Sequence, residues 1–296
     1  MIEFHKASLA DAAWVRQRFA EGERIGCEFS FGNMLCYLSV MDIYIADVAG
    51  CFVSRCVLPD FDDYSFPVGA GDKAKAVEAL CAYVQEIGRP ANFYGLIESD
   101  KAFLEAAFPG RFSVERHREC FDYIYLRSDL QTLSGKKYQS KRNHISFFKR
   151  NNLWTYERIT DANKAECLAM SHAWAKANVH DDAAALDREL QLITEGFRLF
   201  DDIGFVGGLI RCDGRVVAYC MGEALSDDVF CVHYEKAFAD IRGAYAMINQ
   251  QFVEHELQRF TYVNREDDVG EENLRQAKLS YHPAFLLEKY EVRLYP

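Results

Sequence analysis

No stretch of this 296-residue chain is apolar for anything near the ~20 residues that cross a bilayer. The longest apolar runs, such as Val216 to Met221, are short, so no integral membrane contact is expected. The opening segment, MIEFHKASLADAAWVRQRF, carries acids early and has no apolar h-region, so no secretory signal is expected. Ten cysteines are present without one Cys-x-x-Cys pair. Most lie inside apolar runs, as buried thiols do in a reducing cytoplasm, and not as a disulfide frame or zinc site would. The eight histidines form no His-Glu-x-x-His or His-x-His cluster, and no metal is expected. No Gly-x-Ser-x-Gly elbow occurs, and no cysteine sits in a nucleophile motif. Disorder is excluded by a composition that is 50% hydrophobic and 14% aromatic.

Positive charge is also short. The formal net charge is −11, so the molecule as a whole repels nucleic acid and anionic membrane. One local exception stands out for that reason. From Lys136 to Arg150 there are six Lys or Arg residues, one His and no acid. Ser134 is a plausible helix cap there, with Tyr138, Ile145 and Phe148 on one face and Lys137, Lys141, His144 and Arg150 on the others. A helix built only for solubility mixes signs at i, i+4. Lys136, Lys137, Lys141 and Arg142 are therefore candidates for contact with a polyanion, either RNA or a CoA-type donor. The competing reading is a solvated face.

A second polar concentration ends a strand. The run Phe260 to Val263 passes directly into Asn264, Arg265, Glu266, Asp267 and Asp268 before Gly270. Strand ends of this kind are where open α/β sheets bind ligands; otherwise the segment is a solvated cap for the next helix. Upstream, His233 and Glu235 alternate on a strand and would share one face, Glu235 as a base and His233 beside it. In the helix after the polar segment, Leu274 and Ala277 continue at i+7 to Tyr281, which starts on a buried face and is turned by Pro283. Arg275 and Lys278 lie on one flank, with Glu271 placed to steady Arg275. Together Asn264, Arg265, Glu266, Asp267, Arg275 and Lys278 are candidates for holding substrate anions. Gly69-Ala70-Gly71-Asp72 is either an anion-binding turn or a cap formed by Asp72.

Element order gives the architecture. The first half reads as a helix (Leu9 to Ala20), three strands (Ile43 to Val48, Cys51 to Leu58, Tyr64 to Val68), a helix (Asp72 to Ile87), a strand, a helix and strands. The second half repeats it: helices to Phe200, three strands with an Asp213-Gly214 hairpin turn, a helix (Gly243 to Leu257), a strand, a helix and one closing strand, Phe285 to Leu294. The expectation is a mixed-sheet α/β (α+β) protein of two similar units, residues 1–130 and 131–296, with Ser128 to Lys137 as linker and the basic strip 136–150 opening the second unit.

That order resembles the GNAT acyltransferase fold. The segments GKKYQSKRNHISFF, VHYEKA, RGAYAMINQQF and VNREDDVGEENLRQAKLSYHP closely resemble a bacterial family related to the C-terminal catalytic domain of phosphatidylglycerol lysyltransferases, tandem GNAT-like and distantly similar to Fem-type aminoacyltransferases. The resemblance implies a cytoplasmic acyl- or aminoacyl-transferase with no tightly bound cofactor. Its donor would be an aminoacyl-tRNA or an acyl-CoA. Its acceptor would be an amine or hydroxyl of a small molecule, peptide or lipid headgroup. GNAT donors lie against the turn after the fourth strand, here Arg242, Gly243 and Ala244, although the glycine pattern is matched only in part. Tyr281 would protonate the leaving group. A CoA-dependent N-acyltransferase, or a degenerate GNAT pair that only binds ligand, is the alternative.

Overall fold

The computed structural model describes residues 2–178 and 183–294. Two compact units result. One comprises residues 1–122, 267–275 and 286–296, the other 123–266 and 276–285. The first sheet uses β1 (His5–Lys6), β2 (Asp42–Val48), β3 (Cys51–Val57), β4 (Asp62–Ser65), β5 (Ala91–Leu96) and β6 (Val114–Arg116). The second uses β7 (Asp122–Leu126), β8 (Trp154–Arg158), β9 (Val206–Cys212), β10 (Arg215–Ala224), β11 (Val229–Ala237), β12 (Tyr262–Asn264) and β13 (Phe285–Leu287). A last strand, β14 (Tyr290–Leu294), returns to the first sheet. Each sheet is seven-stranded, ordered β1-β2-β3-β4-β5-β14-β6 and β13-β7-β12-β11-β10-β9-β8.

Helices α1 (Ala12–Glu21), α2 (Phe31–Tyr37), α3 (Lys73–Ile87) and α4 (Glu98–Ala107) belong to the first half. In the second half lie α5 (Arg127–Thr132), α6 (Gln139–Asn151), α7 (Lys164–Ala177), α8 (Ala183–Leu199), α9 (Ala244–Glu256) and α10 (Glu272–Leu279). Mixed sheets with two repeats of strands, helix and strand are as the element order implied. The linear boundary at 130/131 is not: β7 completes the second sheet and β14 the first, so chain from each half is built into both units' segments. The expected closing strand Phe285 to Leu294 is in fact two strands in two sheets. Between them the buried ammonium of Lys289 meets Asp122 at 2.7 Å and Glu28 at 2.8 Å. The expected linker is also ordered, holding α5 and a 3-10 turn at Lys136–Tyr138 before α6 begins at Gln139.

Local chemistry explains the best-defined elements. In the first unit the Asp72 side chain accepts the Lys75 amide, and Gly88 ends α3 at φ 63. Ala76, Val77, Leu80 and Val84 form its buried stripe, each large side chain contributing about 1.5–3 kcal/mol by burial. Gly71 packs against the Ala49 and Gly50 carbonyls, so the glycines of that turn serve a close backbone approach. In the second unit Phe230 of β11 meets Phe252 of α9 and Phe260, which fixes the face of β11 that α9 covers.

One topological feature places the site. β4–β5 and β11–β12 run parallel, between antiparallel neighbours. β11 continues to Ala237 but pairs with β12 only at Val229, Phe230 and Cys231. Beyond Cys231 that edge of β11 has no ladder partner in β12, and the polar residues after Asn264 fall at the opening.

α6 crosses the start of α9. A Cβ on Gly243 would stand 2.4 Å from the His144 carbonyl oxygen, and Gly243 has φ +93. Gly243→Ala should therefore cost about 2–4 kcal/mol, from overpacking plus the left-handed backbone. At Gly88, where φ is +63 and nothing lies within 4 Å of a Cβ, the same change should cost only about 1–2 kcal/mol. Chemical denaturation of the two variants checks this; equal losses would show that the helix crossing is not tight.

Candidate active site

The loop after β12 is built to present one guanidinium. Asn264, fully buried, accepts the Glu266 amide on Oδ1 at 2.7 Å. The Arg265 amide donates to the Tyr123 carbonyl, and the Tyr123 amide donates to the Glu266 carbonyl. Lys278 Nζ donates to the Arg265 carbonyl at 2.6 Å. With its backbone held on every side, Arg265 directs Nη2 to both carboxylate oxygens of Glu235, at 3.0 and 3.1 Å. Asn249 of α9 donates to the same carboxylate at 3.2 Å. The Arg265 guanidinium also lies 4.7 Å from the Tyr281 ring centroid and 5.6 Å from that of Tyr125.

Two buried polar atoms in this group lack a hydrogen-bond partner: Arg265 Nη1 and Asn249 Oδ1. Leaving such groups unpaired costs about 1–3 kcal/mol each, and functional sites tolerate that cost where a ligand completes the set. Lys141 of α6 adds a second cation, with Nζ 3.8 Å from the Tyr281 ring centroid. Burial, then the Arg265 charge, push its ammonium down to about 8, against the pull of Glu235. Burial holds the Tyr281 phenol well above its ordinary value, with Arg265 opposing. Its hydroxyl makes no hydrogen bond among the described residues. Within this group, one carboxylate thus serves two cations around a protonated phenol.

His233 does not share the groove with Glu235. Tyr234 pairs with Met221 and Val232 with Gly222, so His233 is an extra residue in β11. Such a bulge reverses the alternation beyond it. Glu235 keeps company with Asn249 of α9 and Arg265. His233 goes with Cys231, Glu223 and Glu266, and stacks on Phe205. One inserted residue leaves no compositional trace.

Other candidates are dispersed. Arg275 is joined to buried Asp268 at 2.9 and 3.0 Å, with Arg118 also on Asp268 at 3.0 Å. Those residues and Asp267 belong to the first unit and not with Arg265. Arg275 thus pairs with Asp268, and with Glu272 at 3.8 Å, where Glu271 was expected. Leu274 and Ala277 are exposed and α10 buries no residue; Tyr281, beyond the helix, is buried against Tyr125, Arg265 and Lys141. In the basic strip, Arg142 is spent on the Leu133 and Gly135 carbonyls, and Lys137 pairs with Asp129 at 3.4 Å. Lys136, Lys137, Lys149 and Arg150 are exposed. Arg242 lies over the Phe147 ring at 4.5 Å, and Ala244 is buried. The sequence did not single out Asn249 and Tyr125; Asn249 alone left a signal, as the first of three amides, Asn249 to Gln251, inside AMINQQF.

Residues 19–293 match the family described as phosphatidylglycerol lysyltransferase, C-terminal. The chain belongs to that family. It is similar to a conserved protein of unknown function from Bacteroides thetaiotaomicron, at 36% identity over 99% of this chain and 100% of that one, with TM-score 0.95. The C-terminal domain of a putative lysylphosphatidylglycerol synthetase from Agrobacterium fabrum superposes with TM-score 0.68 at 15% identity, over 98% and 93%. A tandem GNAT protein from the clavulanic acid biosynthesis pathway does so with TM-score 0.52 at 9% identity, over 100% and 99%. The fold is accordingly tandem GNAT-like. An uncharacterised protein of Mycoplasmoides gallisepticum is 27% identical over 60% of this chain, and the match spans 58% of that relative's length. No helix among the described residues is long and apolar enough to cross a membrane.

The Lys141 environment makes a signed prediction. Its folded value, about 8, lies below the ordinary 10.5. Between those limits the unfolded chain holds a proton that the folded chain has lost, so stability rises with pH across that window. Relative to Lys141→Met, the wild type should gain stability from about pH 8 to 10.5, in denaturant unfolding run at several pH values. A pH-independent difference would place the ammonium in water.

Proposed function

We propose that this chain is an acyl- or aminoacyl-transferase whose transfer centre is Glu235, Arg265, Tyr281 and Lys141. The observation that carries the reading is a buried guanidinium and a half-buried ammonium on one tyrosine ring, with one carboxylate paired to the guanidinium, at the opening of a parallel strand pair. Arg265 offers an unpaired N–H to the carbonyl oxygen that gains charge as the acceptor attacks. Glu235, with its oxygens engaged by Arg265 and Asn249, orients that guanidinium. The sequence pattern made Glu235 the base; Lys141 is better placed for that role, since its neutral form is populated near neutral pH. The acceptor's nitrogen or oxygen forms the new bond to the acyl carbon and gives its proton to Lys141. The acyl bond to the donor then breaks, and Tyr281 protonates the departing oxygen or sulfur. Proton return from Lys141 to Tyr281 resets both groups.

An aminoacyl-tRNA donor is favoured over acyl-CoA. At Gly243, where a GNAT donor's pyrophosphate would lie, the backbone of α6 occupies the near space. The turn before α6 meanwhile exposes Lys136 and Lys137, and the last turn of α6 exposes Lys149 and Arg150, which suits a phosphate backbone. The family's description and the Agrobacterium relative's name, both lysyl-lipid synthetases, support aminoacyl transfer. The acceptor class remains an amine or hydroxyl.

Filter binding with labelled aminoacyl-tRNA tests the donor. Wild type should bind with a steep salt dependence, and the triple change Lys136→Glu, Lys137→Glu, Arg150→Glu should lower affinity at least about tenfold with the melting temperature nearly unchanged. Transfer of the labelled aminoacyl group to an amine or lipid acceptor should fall about 10²-fold in Tyr281→Phe, which keeps both ring contacts and removes only the proton donor. A melting shift with acyl-CoA and none with tRNA would replace the donor. Failure to bind either would overturn the transferase reading.

A further inference from the structure

The other polar cluster of the second unit is not used by this centre. The ligand atoms of Cys231, His233 and Glu266 all lie within 4.8 Å of one another. Glu266 Oε1 is 2.7 Å from His233 Nδ1, and Cys231 Sγ is 3.7 Å from the same nitrogen. On the far side of the ring, Glu223 Oε1 is 3.6 Å from Nε2. We propose that Cys231, His233 and Glu266 bind a divalent transition-metal ion, zinc by preference, with Glu223 orienting the imidazole.

The donor set is one thiol, one imidazole and one carboxylate. That mixture matches borderline cations such as zinc and disfavours calcium or magnesium, which take oxygen alone. Three protein ligands leave a fourth position open, and a carboxylate on the distal nitrogen of a metal-bound histidine is the usual device for fixing ring and tautomer. The backbone has been bent to make the set. The bulge keeps His233 beside Cys231 while Glu235 turns to the opposite face. Glu266 sits at φ 57, a left-handed conformation that is strained for a non-glycine residue and collects at functional sites. Its amide is tied to Asn264 and its carbonyl to Tyr123, so the strain aims the carboxylate at His233 Nδ1. The His233 side chain is 1% exposed and that of Glu266 27%, which puts ion entry and the open position on the Glu266 side.

A parallel cluster in the first unit shows what a filled site looks like. Cys27, Asp122 and Asp267 also converge, but the Lys289 ammonium sits on Asp122 at 2.7 Å and on Cys27 Sγ at 3.4 Å. There the chain supplies its own cation. The sequence concealed the second-unit site because Glu266 joins His233 across 33 residues and no ligand spacing precedes it.

Tag-free protein stripped with chelator and titrated with Zn²⁺ or Co²⁺ alone tests this. One equivalent should bind and raise the melting temperature, Co²⁺ with a near-ultraviolet thiolate charge-transfer band. Cys231→Ser and His233→Gln should lose the band, and Glu223→Gln should weaken binding about 10–100-fold. Tyr281→Phe should bind normally, which keeps the result separate from the transfer reading. Should the ligand variants not fold, zinc-edge absorption of wild type decides: one sulfur near ~2.3 Å and nitrogen or oxygen near ~2.0 Å are expected. A shell without sulfur, absence of the cobalt band, or undiminished binding by Cys231→Ser overturns the assignment.

Discussion

The arrangement of the second unit turns on one ion pair, Arg265 with Glu235. The two residues come from either side of the split between β11 and β12, where the parallel ladder has ended and backbone hydrogen bonds no longer join the strands. Both side chains are nearly buried. Removing one partner of such a pair costs about 3–5 kcal/mol, because the survivor is left charged and dry. The surrounding bonds from Tyr123, Lys278 and Asn249 therefore have a common effect: they hold the guanidinium where its charge is matched on one nitrogen and unmatched on the other. A sheet that kept its ladder closed would have no need of the pair and no room for a ligand.

How much of this was legible depended on range. Local rules worked. Asp72 and Gly88 bound α3 as capping chemistry requires, and Asp213 and Gly214 take φ 49 and 79, the positive pair of a tight hairpin turn. The polar run at Asn264–Asp268 does begin where β12 ends, and Ile145 and Phe148 of α6 are buried, with Tyr138 buried in the turn before it. What failed was pairing at a distance. Nothing near Arg265 or Arg275 says that one takes Glu235 and the other Asp268, since both acids are chosen by topology. The bulge at His233 inverted a face assignment with one residue. The expected strand Phe285 to Leu294 divides between two sheets, with the buried Lys289 between the pieces, and hydropathy does not see which sheet a strand will join.

The two units share an element order but not a charge pattern. In the first, buried carboxylates are met by cations at hydrogen-bond distance: Asp62 by Arg55 and Arg89, Asp100 by Arg24, Asp122 by Lys289. Pairs closed in this way hold a core together and present no unbalanced charge to a ligand. In the second unit the balance is broken in two places, by a surplus cation beside Tyr281 and by a thiol, an imidazole and carboxylates gathered around His233. Proteins keep such imbalances where a ligand supplies the missing charge. The bulge at His233 sends these two imbalances to opposite faces of the same strand. It thus separates the group around Arg265, Glu235 and Lys141 from the group of Cys231, His233 and Glu266. Had β11 been regular, Glu235 would have lain beside His233 and Glu266, and the carboxylates would have shared one pocket.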